Sequence, residues 1–268
     1  MEYETIIVDR PADGVAVLTL NRPERGNGVV PELARDMVAA LTALEADLSV
    51  RVLVLTGAGK VFCAGADLVE FKAYLRDKHA KLEEPFNMRV LWPMTQRVVT
   101  CRMPVIAALN GAATAGGLDL AMACDMRLAA STAKLGETYV KLGLSPGNGG
   151  SYFLPRLVGS GLAAEMAFTG DLFDAQRAHE IGLVNRVVEP DKLMPEAIGL
   201  AERIAKMPRG ALEAIKQQLR QSWHMDLPSL MSWSYWSVAA LTYSADLREG
   251  IDAALEKRPP IYNKKDSG

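Results

Sequence analysis

Asp119 is the residue around which a chemical reading of this sequence forms. It stands just past Gly116-Gly117 in the stretch PVIAALNGAATAGGLDLAMACD, residues 104–125. Val105–Leu109 is an apolar run of strand length, broken by Asn110-Gly111. A loop of small residues follows, and Leu118–Cys124 reads as a buried helix opened by the two glycines. The order is strand, tight loop, helix, with glycines where the backbone must approach something closely. The first N–H groups of a helix have no intrahelical partner and lie at the positive end of its dipole. They favour a partial negative charge on a ligand oxygen. Such a donor with a carboxylate beside it points to acyl chemistry; the plainer reading is an Asp that only complements a helix N-terminus.

The elements that position this stretch follow from the pattern on either side. Val15–Leu20 reads as a strand, ended by turn residues 21–28. Pro31 suits a first helical position, and Leu33, Met37, Leu41, Leu44 and Leu48 recur at helical spacing, so residues 31–48 form an amphipathic helix. Residues 51–56 (RVLVLT) carry the continuous apolar core of a parallel strand covered on both faces. A second glycine-centred loop, residues 61–68, leads towards a helix. Residues 69–100 are polar and helical, interrupted at Pro85 and Pro93, and Met88, Trp92 and Met94 there suit either a pocket or the core. Met126–Ala130 is a further strand, and residues 134–140 run into a third glycine loop at 143–150. The alternation to about residue 188 predicts an α/β layered fold with parallel pairing.

From residue 191 the pattern turns wholly helical, over residues 193–207, 209–223, 227–244 and 246–257. The chain is therefore divided into a core, 1–190, and a helical region, 191–268. Trp223, Trp233, Tyr235 and Trp236 give this tail more aromatic surface than it can bury alone, which predicts docking on the body or on another subunit.

With 49% hydrophobic and 23% charged residues among 268, and a formal charge of -2, the composition is that of a soluble globular chain without a nucleic-acid footprint. No apolar run approaches the roughly 20 residues of a membrane span. The acidic start, MEYETIIVDR, lacks the features of a signal peptide. Cys63, Cys101 and Cys124 form no CxxC pair and are odd in number, so a reducing cytoplasm is expected and a disulfide framework is not. His79, His179 and His224 lie far apart, giving a metal site or a histidine triad little support.

Taken in order, NRPE-x-x-N, FCAGADL, NGAATAGGLDLAMACD, GETYVKLGLSPGNGG and REGIDAALEKR resemble the crotonase (enoyl-CoA hydratase/isomerase) superfamily, over residues 5 to 258. The resemblance implies an α/β fold, a crotonase-like ββα spiral core with a C-terminal helical trimerisation region. It implies a homo-oligomer, trimer or dimer of trimers, acting on acyl-CoA thioesters, with no cofactor beyond the coenzyme A of the substrate. It places the N–H groups of Ala66 and Gly116 in an oxyanion hole for the thioester carbonyl, where each donor is worth about 2.7–4 kcal/mol to the transition state. Gly65, Asp67, Leu68 and Gly117 belong to the two substrate-binding loops, with Asp67 tying down the first. The Ala64 carbonyl matches a position that contacts adenine, and Arg25 and Lys257 match positions lining the phosphates and adenine pocket.

Two departures decide the chemistry. Asp119 occupies the place of the first catalytic glutamate, and Tyr139 that of the second; the nearest carboxylate to it is Glu137. Hydration of a 2-enoyl-CoA needs a base for water and an acid for Cα, roles that Asp119 and Glu137 can share if the intervening backbone presents Glu137 to the pocket. Tyr139 is expected as a pocket wall that can hydrogen-bond substrate. An isomerase, or another acyl-CoA lyase or hydrolase, needs only one carboxylate, and a non-catalytic acyl-CoA-binding protein needs none.

Overall fold

The computed structural model describes residues 3–76 and 88–264. Its strands are β1 (Ile6–Ala12), β2 (Val15–Leu20), β3 (Val52–Gly57), β4 (Val61–Cys63), β5 (Val105–Leu109), β6 (Ala112–Thr114), β7 (Met126–Ala130), β8 (Lys134–Gly136), β9 (Phe173–Asp174) and β10 (Arg186–Val188). The helices are α1 (Pro31–Ala46), α2 (Leu68–Arg76), α3 (Met88–Thr100), α4 (Gly116–Ala123), α5 (Gly150–Val158), α6 (Ser160–Thr169), α7 (Ala175–Glu180), α8 (Leu193–Ala205), α9 (Arg209–Gln221), α10 (Leu227–Thr242) and α11 (Ala245–Leu255).

A six-stranded sheet runs β1-β2-β3-β5-β7-β10, with β1 antiparallel to β2 and every other pair parallel. Alternation along its strands feeds two cores. Leu18 and Leu20 of β2, Leu55 of β3 and Leu109 of β5 join the main core with α1, α3 and α4, while Val15, Val17, Val54 and Ile106 face the other way. That second face is closed by α8 through Leu193, Ala197, Ala201 and Ala205, spaced by one helical turn. Both faces being covered explains the unbroken apolar runs. It also means that the division drawn at 190/191 falls in front of a helix packed on the sheet.

Helix α1 starts at Pro31 as expected and buries Leu33, Met37, Leu41 and Leu44. Leu48 lies past its end and is 56% exposed, so the apolar stripe is one residue shorter than its spacing suggested. Pro93 sits inside α3 without breaking it. It costs the helix one interior hydrogen bond, and burial of Met94 and Val98 holds the segment in place. Pro85 and the side chain of Met88 lie outside the described residues.

The second sheet is built from very short strands in the order β4-β6-β8-β9. β4, β6 and β8 are parallel, with Cys63 opposite Ala113 and Thr114 opposite Gly136. Their C-terminal ends release three loops side by side: residues 64–67, residue 115 leading into α4, and residues 137–139. Gly117 permits this spacing, because a Cβ there would lie 2.0 Å from the Cys63 carbonyl oxygen. A Gly117→Ala variant is accordingly expected to lose about 3 kcal/mol of stability, since the obstacle is backbone rather than a movable side chain. Urea unfolding measures this; an unchanged midpoint would mean that β4 yields.

Candidate active site

The first two loops almost touch. A Cβ on Gly65 would stand 3.0 Å from the Thr114 carbonyl oxygen and 3.3 Å from the Gly116 nitrogen, and Gly65 itself has φ +90°. The Gly65 carbonyl accepts from Val29 N–H at 2.7 Å, and Asp67 N–H donates to the Val29 carbonyl at 3.2 Å, so residue 66 is gripped on both sides. Among the described residues neither the Ala66 nor the Gly116 N–H has a backbone acceptor. Ala115, ahead of Gly116, has φ 47° and ψ −123°, a conformation that L-residues seldom adopt and that sets the direction of the next amide.

Asp67 anchors the first loop. It is 5% exposed and accepts from Arg25 Nε at 3.0 Å, Arg25 Nη2 at 3.0 Å, Arg22 Nη2 at 3.0 Å and Val69 N–H at 3.0 Å. Burial alone would raise its carboxyl, but these donors together hold it below the usual carboxylate range. Arg25 thus spends its fork on Asp67 while its side chain stays 32% exposed. The Ala64 carbonyl accepts from the Thr114 hydroxyl at 3.0 Å. Leu68 opens α2 and is exposed, as is Lys257 just beyond α11. Gly117 packs on β4, as described above.

The third loop brings both uncertain side chains to Asp119. Gly136 ends β8, and a 3-10 turn over Thr138–Leu142 follows at once. The Tyr139 hydroxyl donates to Asp119 Oδ2 at 2.6 Å, and Asn148 N–H donates to the same oxygen at 3.2 Å. Asp119 Oδ1 and both Glu137 oxygens are buried, and among the described residues they are left to one another and to the Gly150 N–H beside Asp119. A Cβ on Gly150, at the start of α5, would lie 2.3 Å from Asp119 Oδ1 and 3.0 Å from Glu137 Oε1. The two carboxyls therefore meet at one point, with bare backbone against them.

Their electrostatics separate them. Burial pushes Asp119 up to about 6, against the hydrogen bond from Tyr139 that favours its charge. Burial pushes Glu137 further, up to about 10, and the charge of Asp119 adds to it. Burial, then Asp119, also raises the Tyr139 phenol, which stays a neutral donor. Both carboxyls are raised by burial, and the charge of one opposes the charge of the other, so the pair resists carrying two charges at once.

Asn148 has no role in the sequence reading, and Trp92, placed there at either a pocket or the core, joins the loop beside Asp119. Asn148 supplies an amide to Asp119, and its own Oδ1 is buried without a partner; its place between glycines in GNGG was the available signal. Trp92 Nε1 donates to the Gly147 carbonyl at 2.8 Å, fastening α3 to the same loop. Met94, by contrast, is fully buried core.

Comparison with known proteins agrees with this arrangement. The family model described as enoyl-CoA hydratase/isomerase matches residues 10–265. The chain belongs to the enoyl-CoA hydratase/isomerase family. Within it, the chain is 38% identical over 267 residues to a crotonyl-CoA hydratase of Syntrophomonas wolfei, covering 99% of this chain and 100% of the relative. It is 35% identical over 259 residues to a short-chain-enoyl-CoA hydratase of Clostridium acetobutylicum, covering 96% and 97% respectively. The crystal structure of an enoyl-CoA hydratase from Bacillus anthracis superposes with a TM-score of 0.91 at 35% identity, covering 98% of this chain and 100% of that one. Membership makes the chain an enzyme of the family, and the crotonase-like α/β fold expected from its motifs is the fold it has. Among the described residues no helix is long and apolar enough to cross a membrane.

Proposed function

We propose that this protein hydrates 2-enoyl-CoA thioesters, with Asp119 and Glu137 as base and acid and the N–H groups of Ala66 and Gly116 as oxyanion donors. The observation that carries the reading is the buried pair itself: two adjoining carboxyls that resist carrying two charges at once, beside two unengaged amides. The thioester oxygen sits on the amides, which hold the charge that develops as the double bond is attacked. Asp119 Oδ1, left open by the bonds to Oδ2, takes a proton from water as the water oxygen bonds Cβ. Glu137 gives its proton to Cα, and the enolate collapses to the thioester. The cycle leaves Asp119 protonated and Glu137 ionised, and a proton passing between them restores the starting state.

Gly65, Leu68 and Gly117 shape the backbone around the thioester in this reading, and Asp67 fixes the loop. Arg25, the Ala64 carbonyl and Lys257 serve the coenzyme A moiety, which is part of the substrate; no separate cofactor is invoked. An isomerase reading is favoured by one observation, that Tyr139 holds Asp119 Oδ2 and so fixes Asp119 as a single base able to carry a proton between carbons. Incubation with 2-enoyl-CoA and with 3-enoyl-CoA separates the two. Hydration removes the conjugated-thioester absorbance from the first, whereas isomerisation creates it from the second. An enzyme that leaves 2-enoyl-CoA untouched would end the hydratase reading.

The pH profile supplies a second test. kcat/KM is expected to rise as Asp119 ionises through about 6 and to fall as Glu137 loses its proton towards about 10. Tyr139→Phe removes a bond to the charged form of Asp119 and moves the acid limb to higher pH. A limb that stays in place would detach Tyr139 from the titration.

The assembly expected is a homo-oligomer, trimer or dimer of trimers. Support comes from α10, which buries no residue, and whose Trp236 and Tyr235 are 71% and 65% exposed. Cys63, Cys101 and Cys124 are free, buried thiols, which suits a reducing compartment such as the cytoplasm.

A further inference from the structure

A cavity of about 140 Å³ lies between α5 and α6. Glu137 and Gly150 are at its inner end, Leu154 and Ala163 along its walls, and Ser151 and Ala167 towards the surface, where Ser151 is exposed. None of its lining residues comes from the loops at 64–67 or 115–117, and Tyr139 is not among them. It is thus an approach to Glu137, with Asp119 reached through its contact with Glu137 and Gly150, separate from the side where the amides of residues 66 and 116 lie.

Two features say what it admits. Buried polar groups are almost always hydrogen-bonded, yet among the described residues the Glu137 carboxyl has no partner except the adjoining Asp119, which leaves one of its oxygens bare towards the cavity. The cavity is roomy enough for several water molecules, at about 30 Å³ each. Its small side chains keep the passage open, and its largely apolar walls hold water weakly enough for exchange.

Such a route would serve the chemistry. Each hydration consumes one water, whose oxygen bonds Cβ while one of its protons goes to Asp119 and the proton of Glu137 goes to Cα. The next turnover needs another water at the pair, and a passage apart from the thioester's lets it arrive whether or not a thioester is seated. We propose that the α5–α6 cavity is a water port that supplies Glu137 and Asp119 from the side opposite the thioester. The assignment rests on the hydratase reading above.

Filling the port tests it. Ala163→Leu blocks the wall and Ala167→Leu narrows the outer end, with Ala163→Ser as a control that keeps the passage open. Both leucine variants should lower kcat at least about tenfold, by the same factor for crotonyl-CoA and a longer 2-enoyl-CoA, with KM nearly unchanged. Ala163→Ser should keep the wild-type kcat. Unchanged kcat in the leucine variants would overturn the port, as would a loss confined to the longer substrate, which would make the cavity an acyl subsite. Should Ala163→Leu fail to fold, Ala167→Leu, at the outer end, carries the test. Wild-type enzyme that hydrates no 2-enoyl-CoA sinks the hydratase reading and the port with it; active wild type with unaffected leucine variants sinks the port alone. A crystal structure with no ordered water within hydrogen-bond reach of Glu137 would overturn it without any assay.

Discussion

Asp119→Asn is expected to lower kcat for crotonyl-CoA hydration by at least about 10³-fold while leaving the fold intact. The amide oxygen can still accept from the Tyr139 hydroxyl and Asn148 N–H, at 2.6 and 3.2 Å in the wild type. What disappears is the basic lone pair at Oδ1, the oxygen that faces Glu137 and Gly150. Stability should not fall, because the site holds this carboxyl above its ordinary pKa and so opposes the charge that Asn removes. Turnover measured together with a thermal melt checks both halves. A variant that keeps more than about a tenth of wild-type kcat would remove Asp119 from the role of base.

The opposite pairing of effects is expected at Glu137, where Gln should weaken catalysis and strengthen the fold. The carboxyl is raised from 4.5 to about 10 in the native state. Between those values the folded chain holds a proton that the unfolded chain releases, so stability declines as pH rises. At pH 8 the native carboxyl opposes folding, a penalty that Gln, of the same shape and without a titrating group, does not incur. Glu137→Gln should therefore melt at least about 5 °C above the wild type at pH 8, with the gap closing near pH 5. Its kcat should drop by about 10²-fold or more through loss of the proton donor. Equal melting temperatures at pH 8 would show that Glu137 is not the strained group described.

Much of this was legible in the sequence because the relevant segments bury two faces or mark their own ends. Val15–Leu20, Val105–Leu109 and Met126–Ala130 are apolar runs bounded by turn residues, and they form strands over those same residues. Pro31 announced a helix start. The small sheet was not legible, since three residues in each of β4, β6 and β8 are too few to show a period. Nor was the meeting of Glu137 and Tyr139 at Asp119. Alternation along β8 places them on the same side, but the chain leaves the strand at Gly136, and a 3-10 turn, not a pleat, sets their directions. Asn148 escaped notice because its contribution to Asp119 is a main-chain amide, which any residue type except proline supplies.

The loops at 64–67, 115 and 137–139 hang from adjacent parallel strands, β4, β6 and β8. The distance between neighbours in such a sheet is set by ladder hydrogen bonds at about 4.8 Å, whatever the side chains are. Anchoring and reactivity are consequently inherited separately. Exchanging the side chains at 119, 137 or 139 would change the proton chemistry offered there, while the three loops keep their spacing. A chassis of this kind lends itself to re-specialisation, and laboratory evolution aimed at a new acyl-CoA reaction would do best to randomise those three positions and leave the strands beneath them alone.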